Sequence, residues 1–357
     1  MADDTTLAAT DLKLASGILP SQEMDAAIAS GAITAVNPIP GGQVQPASID
    51  LRVGTVAYRV RASFLPGSQA TVDEKLKAFT MHEIDLSQGA VLEKGCVYIV
   101  PLQESLNLEP ETSGMANPKS STGRLDIFTR VITDGAFEFD RIEAGYKGPL
   151  YAEISPLTFS VLVRTGSKLS QLRLRRGQFD IADGVAFTVD LTGFEVAGQQ
   201  DKIVGYKAKQ HAGVVDVENV GHYEVDDFWD PIVARKDKSL VLDPDEFYIL
   251  ASKEAVNVPP DQAAEMRAYD TLVGEFRVHY AGFFDPGFGH DAAGGAGSRA
   301  VLEVRSHDVP FVLEDGQMVG RLVFEPLTAT PDILYGADVG SNYQSQRLKL
   351  SKHFKNT

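Results

Sequence analysis

The sequence predicts a mainly β protein built from two tandem barrel-like domains with few short helices. Three observations carry that expectation. Short apolar or alternating runs, among them Cys96–Pro101, Phe159–Arg164, Leu169–Leu174, Phe247–Ala251, Phe311–Leu313 and Met318–Phe324, are separated by Gly, Pro, Asp or Asn turns. The chain nearly repeats itself at an offset of 150 residues: Val91-Leu92-Glu93 recurs as Val241-Leu242-Asp243, Tyr98-Ile99 as Tyr248-Ile249, Glu104 as Glu254, Asn107 as Asn257, Pro110 as Pro260 and Glu153 as Glu303. A length of 357 residues gives each copy enough chain for its own core.

Read in order, residues 1–195 form the first domain, 196–225 a polar, Gly-containing connector, and 226–357 the second domain with a C-terminal tail. Ser21–Ser30 has apolar residues at helical spacing after a serine, with Glu23 in the first turn, and reads as a helix. Asp261–Ala268, after Pro259-Pro260, is a weaker helical candidate. His290–Ser298 reads as a flexible Gly/Ala loop that lengthens the Asp285-to-Glu303 hairpin by eight residues over Glu143-to-Glu153. Cys96 is the single cysteine, at an expected buried strand position.

Composition excludes several function classes. No apolar run approaches the ~20 residues of a membrane span, and Met-Ala-Asp-Asp-Thr-Thr lacks the basic and apolar regions of a signal peptide, so a cytoplasmic protein is expected. A net charge of −16 repels polyanions and argues against extended nucleic-acid binding, while leaving room for a small phosphorylated ligand held by local cations. One cysteine cannot furnish the Pro-Cys-x-x-Cys pair of a zinc-dependent base deaminase. The seven histidines form no His-x-x-x-His pair, and the phosphate-loop, dinucleotide and nucleophile-elbow signatures are missing.

What remains is Pro118-Lys119-Ser120-Ser121-Thr122-Gly123-Arg124, with hydroxyls, two cations and a glycine at one turn, a set suited to phosphate oxygens. A solvated turn or a helix cap by Ser120 or Ser121 is the competing reading. The second copy has Tyr269-Asp270-Thr271-Leu272-Val273-Gly274 at the equivalent place and has lost the cluster. Other candidates also have plain structural readings: Glu153 and Glu303 as outward edge-strand charges, Arg173, Arg175 and Arg176 as a solvated strand face, Asp50 and Arg52 as a cross-strand pair, and the residues from Tyr343 onward as a loose terminus.

The order of motifs resembles the dCTP deaminase branch of the trimeric dUTPase superfamily over nearly the whole chain, and its doubled length is like that of fused members. Gln45-Pro46-Ala47-Ser48-Ile49-Asp50-Leu51-Arg52-Val53-Gly54 resembles the first motif, and Lys119–Arg124 the Arg-Ser-Ser-x-x-Arg phosphate motif with lysine first. Phe284-Asp285-Pro286-Gly287-Phe288-Gly289 resembles the nucleoside hairpin; Ile142-Glu143-Ala144-Gly145-Tyr146-Lys147-Gly148 is the first copy's version, with Glu143 in place of aspartate. Glu153 and Glu303 match the family's catalytic glutamate, and Tyr335 with Asn342-Tyr343-Gln344-Ser345-Gln346 resembles the tail that closes over the nucleotide.

The resemblance implies dUTPase-like distorted β-barrel, jelly-roll-like domains assembled as a homo-oligomer, a trimer of two-domain chains. It implies deamination of dCTP to dUTP and ammonia without zinc, Mg2+ arriving on the triphosphate, and dTTP as an inhibitor to be tested. In that scheme a glutamate shuttles the proton, Ser120 orients the water or base, Arg124 holds the glutamate or developing charge, and Lys119 and Ser121 meet the phosphates. Asp285, Phe288, Glu143, Tyr146, Tyr335, Tyr343, Gln344 and Gln346 are the further nucleotide-binding candidates. Two placements stay open: a composite site joining Ser120, Ser121 and Arg124 to Asp285 and Glu303, or a first-copy site using Glu143 and Glu153. dUTP hydrolysis, alone or combined with deamination, and nucleotide binding without turnover are the alternative functions.

Overall fold

The computed structural model describes residues 15–179, 181, 184–268, 276–278, 282–306, 308–336 and 343–355. The first half folds as two facing sheets. In one, Thr112–Pro118 runs between Arg141–Ile142 and Lys168–Arg176, and the latter pairs with Ser48–Arg52. In the other, Val97–Asn107 runs between Lys147–Pro156 and Val56–Val60, with Ile127–Thr133 outside. Alternating inward residues such as Ile49, Leu51, Tyr98, Val100, Ala152, Ile154 and Leu172 fill the space between the sheets, as period-two strands require.

The second half repeats this plan in the same register. Glu153 stands opposite Ile99 and Glu303 opposite Ile249; Leu162 faces Val91 and Val312 faces Val241; Ser170 faces Pro118 and Gly320 faces Ala268. Among the described residues no helix is long and apolar enough to cross a membrane.

Several expectations need correction. Gln262–Ala268 is a strand, paired with Met318–Pro326 and Phe283–Phe284, where a helix was expected. Sheet pairing on both sides outweighs the local helical preference of its alanines. The span 196–225 is no plain connector: Ile203–Ala208 lies between Trp229–Val233 and Phe247–Val256, and Val215–Asp216 pairs in parallel with Val161–Val163. Its buried run, including Ile203 and Tyr206, is short and its polar flanks conceal it. Val185–Thr188, placed in the first domain by sequence, pairs instead with Met318–Pro326. The helix Ser21–Ala29 forms, but Pro20 occupies the cap position and no side chain caps it. Cys96 sits half-buried in the turn before Val97–Asn107. His290–Ser298 is shaped by a short 3-10 turn at Asp291–Ala293.

The basic run on Lys168–Arg176 is not a solvated face. Arg173 is fully buried, Arg175 makes a two-pronged pair with Glu325 at 2.6 and 2.8 Å, and Arg176 reaches Glu23 at 2.6 Å. A second bridge joins Arg305 of the second half to Asp126 and Thr158 of the first. Asp50 and Arg52 do not pair with each other. Asp50 takes Lys119 and Lys168, whereas Arg52 donates to Glu104 at 2.7 Å.

Because Glu325 is fully buried, its pairing should be costly to break on one side. Arg175→Ala should lower stability by roughly 3–5 kcal/mol in denaturant titrations. Arg141→Ala, which removes the exposed pairs with Glu138 and Glu143, should change it by less than about 1 kcal/mol.

Candidate active site

The cleft that gathers the polar motifs lies between the two halves of one chain. Its first wall is the turn after Thr112–Pro118, where Ser120–Gly123 forms one helical turn that directs Lys119, Ser120, Ser121 and Arg124 to the cleft. Its second wall is Phe283, Phe284, Asp285 and Phe288, with Met266 behind. Glu303, at the middle of Ser298–Ser306, lies between them, and Tyr335, Tyr343 and Gln346 close the side.

Arg124 is the pivot of the first wall. Its guanidinium stacks 4.0 Å over the Tyr343 ring, donates from Nη1 to the Lys349 carbonyl at 3.0 Å, and places Nε 4.0 Å from Glu303 Oε1. The last distance is an attraction without a hydrogen bond. Glu303 is therefore buried with partial compensation: desolvation pushes its carboxyl up to about 7, against the opposing pull of Arg124. A carboxyl that changes charge near neutral pH can both take and return a proton.

Asp285 is held differently. Arg173 crosses from the first half, donates from Nη2 to Asp285 Oδ1 at 3.0 Å and to the Phe284 carbonyl at 2.9 Å, and from Nη1 to the Ala264 carbonyl at 2.8 Å. Its guanidinium also lies 4.0 Å over the Phe283 ring. Burial still pushes the Asp285 carboxyl above its ordinary range, with Arg173 acting against it. Lys119 pairs with Asp50, so the cation nearest the phosphate motif is itself anchored.

Not every residue nominated from sequence comes to this cleft. Glu153 is fully enclosed elsewhere: Arg130 donates to it at 2.5 Å, and Ser63 donates to its other oxygen at 2.5 Å. Neither Glu153 nor Glu303 is an exposed edge charge, because each strand is paired on both sides. Glu143 is exposed beside Arg141 at 3.1 Å. Tyr146 donates its hydroxyl hydrogen to the Pro149 carbonyl at 2.7 Å and takes no part in the cleft. Gln344 braces the hairpin, donating to the Gly287 and Ala293 carbonyls and accepting from the Gly289 amide at 3.0 Å. The position equivalent to the phosphate motif in the second copy, 269–274, lies outside the described residues.

The cleft also contains residues that sequence reasoning did not nominate: Gln45, Gln171 and Lys352 line it, and the Lys349 carbonyl holds Arg124. A signal for the lysines existed in Leu348-Lys349-Leu350, where buried leucines flank a lysine at period two. Burial lowers the ammonium groups of Lys349 and Lys352, and the neighbouring cations Arg124 and Lys119 add to the effect. Four cations near one cleft favour an anionic ligand. Among the described residues no group of three or more His, Cys, Asp or Glu is placed to hold a metal ion.

The raised carboxyl has a signed consequence for stability. Between the unfolded value near 4.5 and about 7 the folded chain binds the Glu303 proton more tightly, so this group's contribution falls as pH rises through that window and stays low above it. Glu303→Gln should therefore be more stable than the parent at pH 8 and indistinguishable from it below about pH 4.5, as read from paired melting curves.

Comparisons with known proteins point to one family. Residues 15–178 match the model for the 2'-deoxycytidine 5'-triphosphate deaminase N-terminal domain, and residues 163–354 match that for its C-terminal domain. A dUMP-forming dCTP deaminase of Halobacterium salinarum is 34% identical over 127 residues, covering 34% of this chain and 60% of the relative. A dCTP deaminase of Natronomonas pharaonis is 30% identical over 141 residues, covering 38% of this chain and 68% of the relative. The crystal structure of 2'-deoxycytidine 5'-triphosphate deaminase from Agrobacterium tumefaciens superposes with a TM-score of 0.83 at 56% identity, over 88% of this chain and 99% of that one. Two matched domain models that together span the cleft show that this chain belongs to the dCTP deaminase family.

Proposed function

We propose that the chain deaminates dCTP to dUTP and ammonia in the cleft between its halves, with Glu303 as the proton shuttle. The observation that carries this reading is the convergence of Ser120, Ser121 and Arg124 from one half with Asp285 and Glu303 from the other, around a carboxyl poised at about 7. Ionised Glu303 takes one proton from the water that adds to C4 of the cytosine and passes it to N3; the remaining hydroxyl proton is then relayed through the same carboxylate to the amine, which departs as ammonia and leaves the C4 carbonyl. Ser120 orients the water or base, and Arg124 favours the ionised form of Glu303 against its burial or stabilises the charge that develops on the ring. Phe288 and Tyr335 flank the nucleoside, Asp285 meets the sugar, and Lys119, Ser121 and Lys352 face the triphosphate. Magnesium would ride on the phosphate oxygens and not on a protein cage, since among the described residues no group of three or more His, Cys, Asp or Glu is placed to hold it, and would supply charge neutralisation of the triphosphate.

Relatives named as dUMP-forming raise a second product. Release of pyrophosphate needs an acidic residue free to place a water at the α-phosphate. Asp50 is tied to Lys119 and Lys168, Asp285 is tied to Arg173, and Glu143 lies outside the cleft, which favours dUTP as the product. Assembly as a trimer of two-domain chains and inhibition by dTTP belong to the same reading; light scattering and dTTP titration test them.

Incubation with dCTP and magnesium, with ammonia, dUTP, dUMP and pyrophosphate followed together, tests the proposal. Ammonia and dUTP should appear in equal amounts. Glu303→Gln should lower kcat by roughly 10²–10⁴-fold, whereas Glu153→Gln should retain turnover wherever it folds. Absence of ammonia from the parent protein would reject deamination, and dUMP with pyrophosphate would replace dUTP as the product.

A further inference from the structure

The segment beyond Gln346 carries a hydrogen-bond chain that the proposed reaction does not use. Ser351 is fully buried, and its hydroxyl donates to the Ser121 carbonyl at 2.8 Å while lying 2.9 Å from His353 Nδ1. His353, 2% exposed, places Nε2 2.9 Å from the Val217 carbonyl. A carbonyl can only accept, so the ring must present Nε2–H to Val217, and a neutral ring then offers Nδ1 as an acceptor to Ser351. The single serine hydrogen is shared between Nδ1 and the carbonyl of Ser121. The chain thus runs from the segment between the halves, through the tail, into the phosphate motif.

Packing seats the same segment. Leu350 is fully buried in the main core, and Phe354 meets Phe228 and Trp229 with ring centroids 5.4 and 5.8 Å apart. Backbone bonds continue the anchor: His222 and Tyr223 amides donate to the His353 carbonyl, and the Lys355 amide to that of Tyr223. Between this anchor and Gln346 lie the Lys349 carbonyl that holds Arg124 and Lys352, which lines the cleft. The Lys352 amide donates to the Tyr343 hydroxyl at 3.2 Å, tying the anchor to the ring stacked on Arg124.

We propose that Ser351 and His353 are positioning residues that latch the far end of the tail onto the Ser121 carbonyl, fixing the phosphate motif and the tail groups around the triphosphate. They touch no reacting atom and act through Ser121 and Lys352, the two groups assigned to the triphosphate. This role rests on the deaminase reading for its effect on turnover, but the latch itself can be observed without turnover. Trp229 is the only tryptophan of the chain and packs on Phe354, so its emission reports the seating of the tail.

The test compares Ser351→Ala, Ser351→Thr and His353→Ala in the full chain. Ser351→Ala and His353→Ala should raise the KM for dCTP about tenfold with kcat within about twofold, since binding geometry is loosened and the proton shuttle is left in place. Both should speed tryptic cleavage after Lys349 and Lys352 and shift Trp229 emission to longer wavelength. Ser351→Thr, which keeps the hydroxyl, should restore parent values in all three readouts. Unchanged tail cleavage and emission in both alanine variants would overturn the latch, as would a fall in kcat at constant KM. If the parent protein releases no ammonia, the deaminase reading fails, while cleavage and emission still decide the latch.

Discussion

Arg173 is drawn completely out of water, and a buried arginine is tolerated only where its charge finds compensation. It finds this in the other half of the chain: one carboxylate, two main-chain carbonyls and an aromatic face, all supplied by Ala264 and the hairpin Phe283–Asp285. The hairpin cannot shift without stripping that charge of its partners. One wall of the cleft is thereby fixed relative to the strand that neighbours the other wall, since Lys168–Arg176 pairs directly with Thr112–Pro118. Arg175 with Glu325 and Arg305 with Asp126 reinforce the same junction.

Within that frame, two glutamates in one register have been given opposite environments. Glu153 is closely paired by Arg130 and bonded by Ser63, so both of its oxygens are engaged by side chains of the first half. Glu303 has its arginine at 4.0 Å and faces a lined cleft. The difference of about 1.5 Å between 2.5 and 4.0 Å separates a formed ion pair from a carboxyl whose burial is only partly offset. Arg124 is kept at that distance because it is engaged by the Tyr343 ring and the Lys349 carbonyl. The tail thus engages Arg124 as well as lining the site.

The repeat at an offset of 150 residues made the paired-domain plan and its strand register readable, because period-two burial leaves the same trace in both copies. The phosphate motif, the hairpin and both glutamates were also legible, as polar clusters that a strand-and-turn pattern does not require. Ile203–Ala208 was hidden by its polar surroundings, and Gln262–Ala268 was misread because alanine favours a helix unless neighbouring strands claim it.

The sequence by itself determined the fold class, the cationic motif and the lack of a cysteine pair for a Pro-Cys-x-x-Cys zinc site, each being a matter of residue type and spacing. Only the tertiary structure decided that Glu303 and not Glu153 shares a cleft with Arg124, that Arg173 is buried and not solvated, and that Ser351 and His353 reach Ser121. These outcomes depend on contacts between residues 90 to 230 positions apart, which no local pattern encodes. Burial then sets their chemistry, since the same carboxyl or guanidinium is inert or reactive according to which partners the fold delivers.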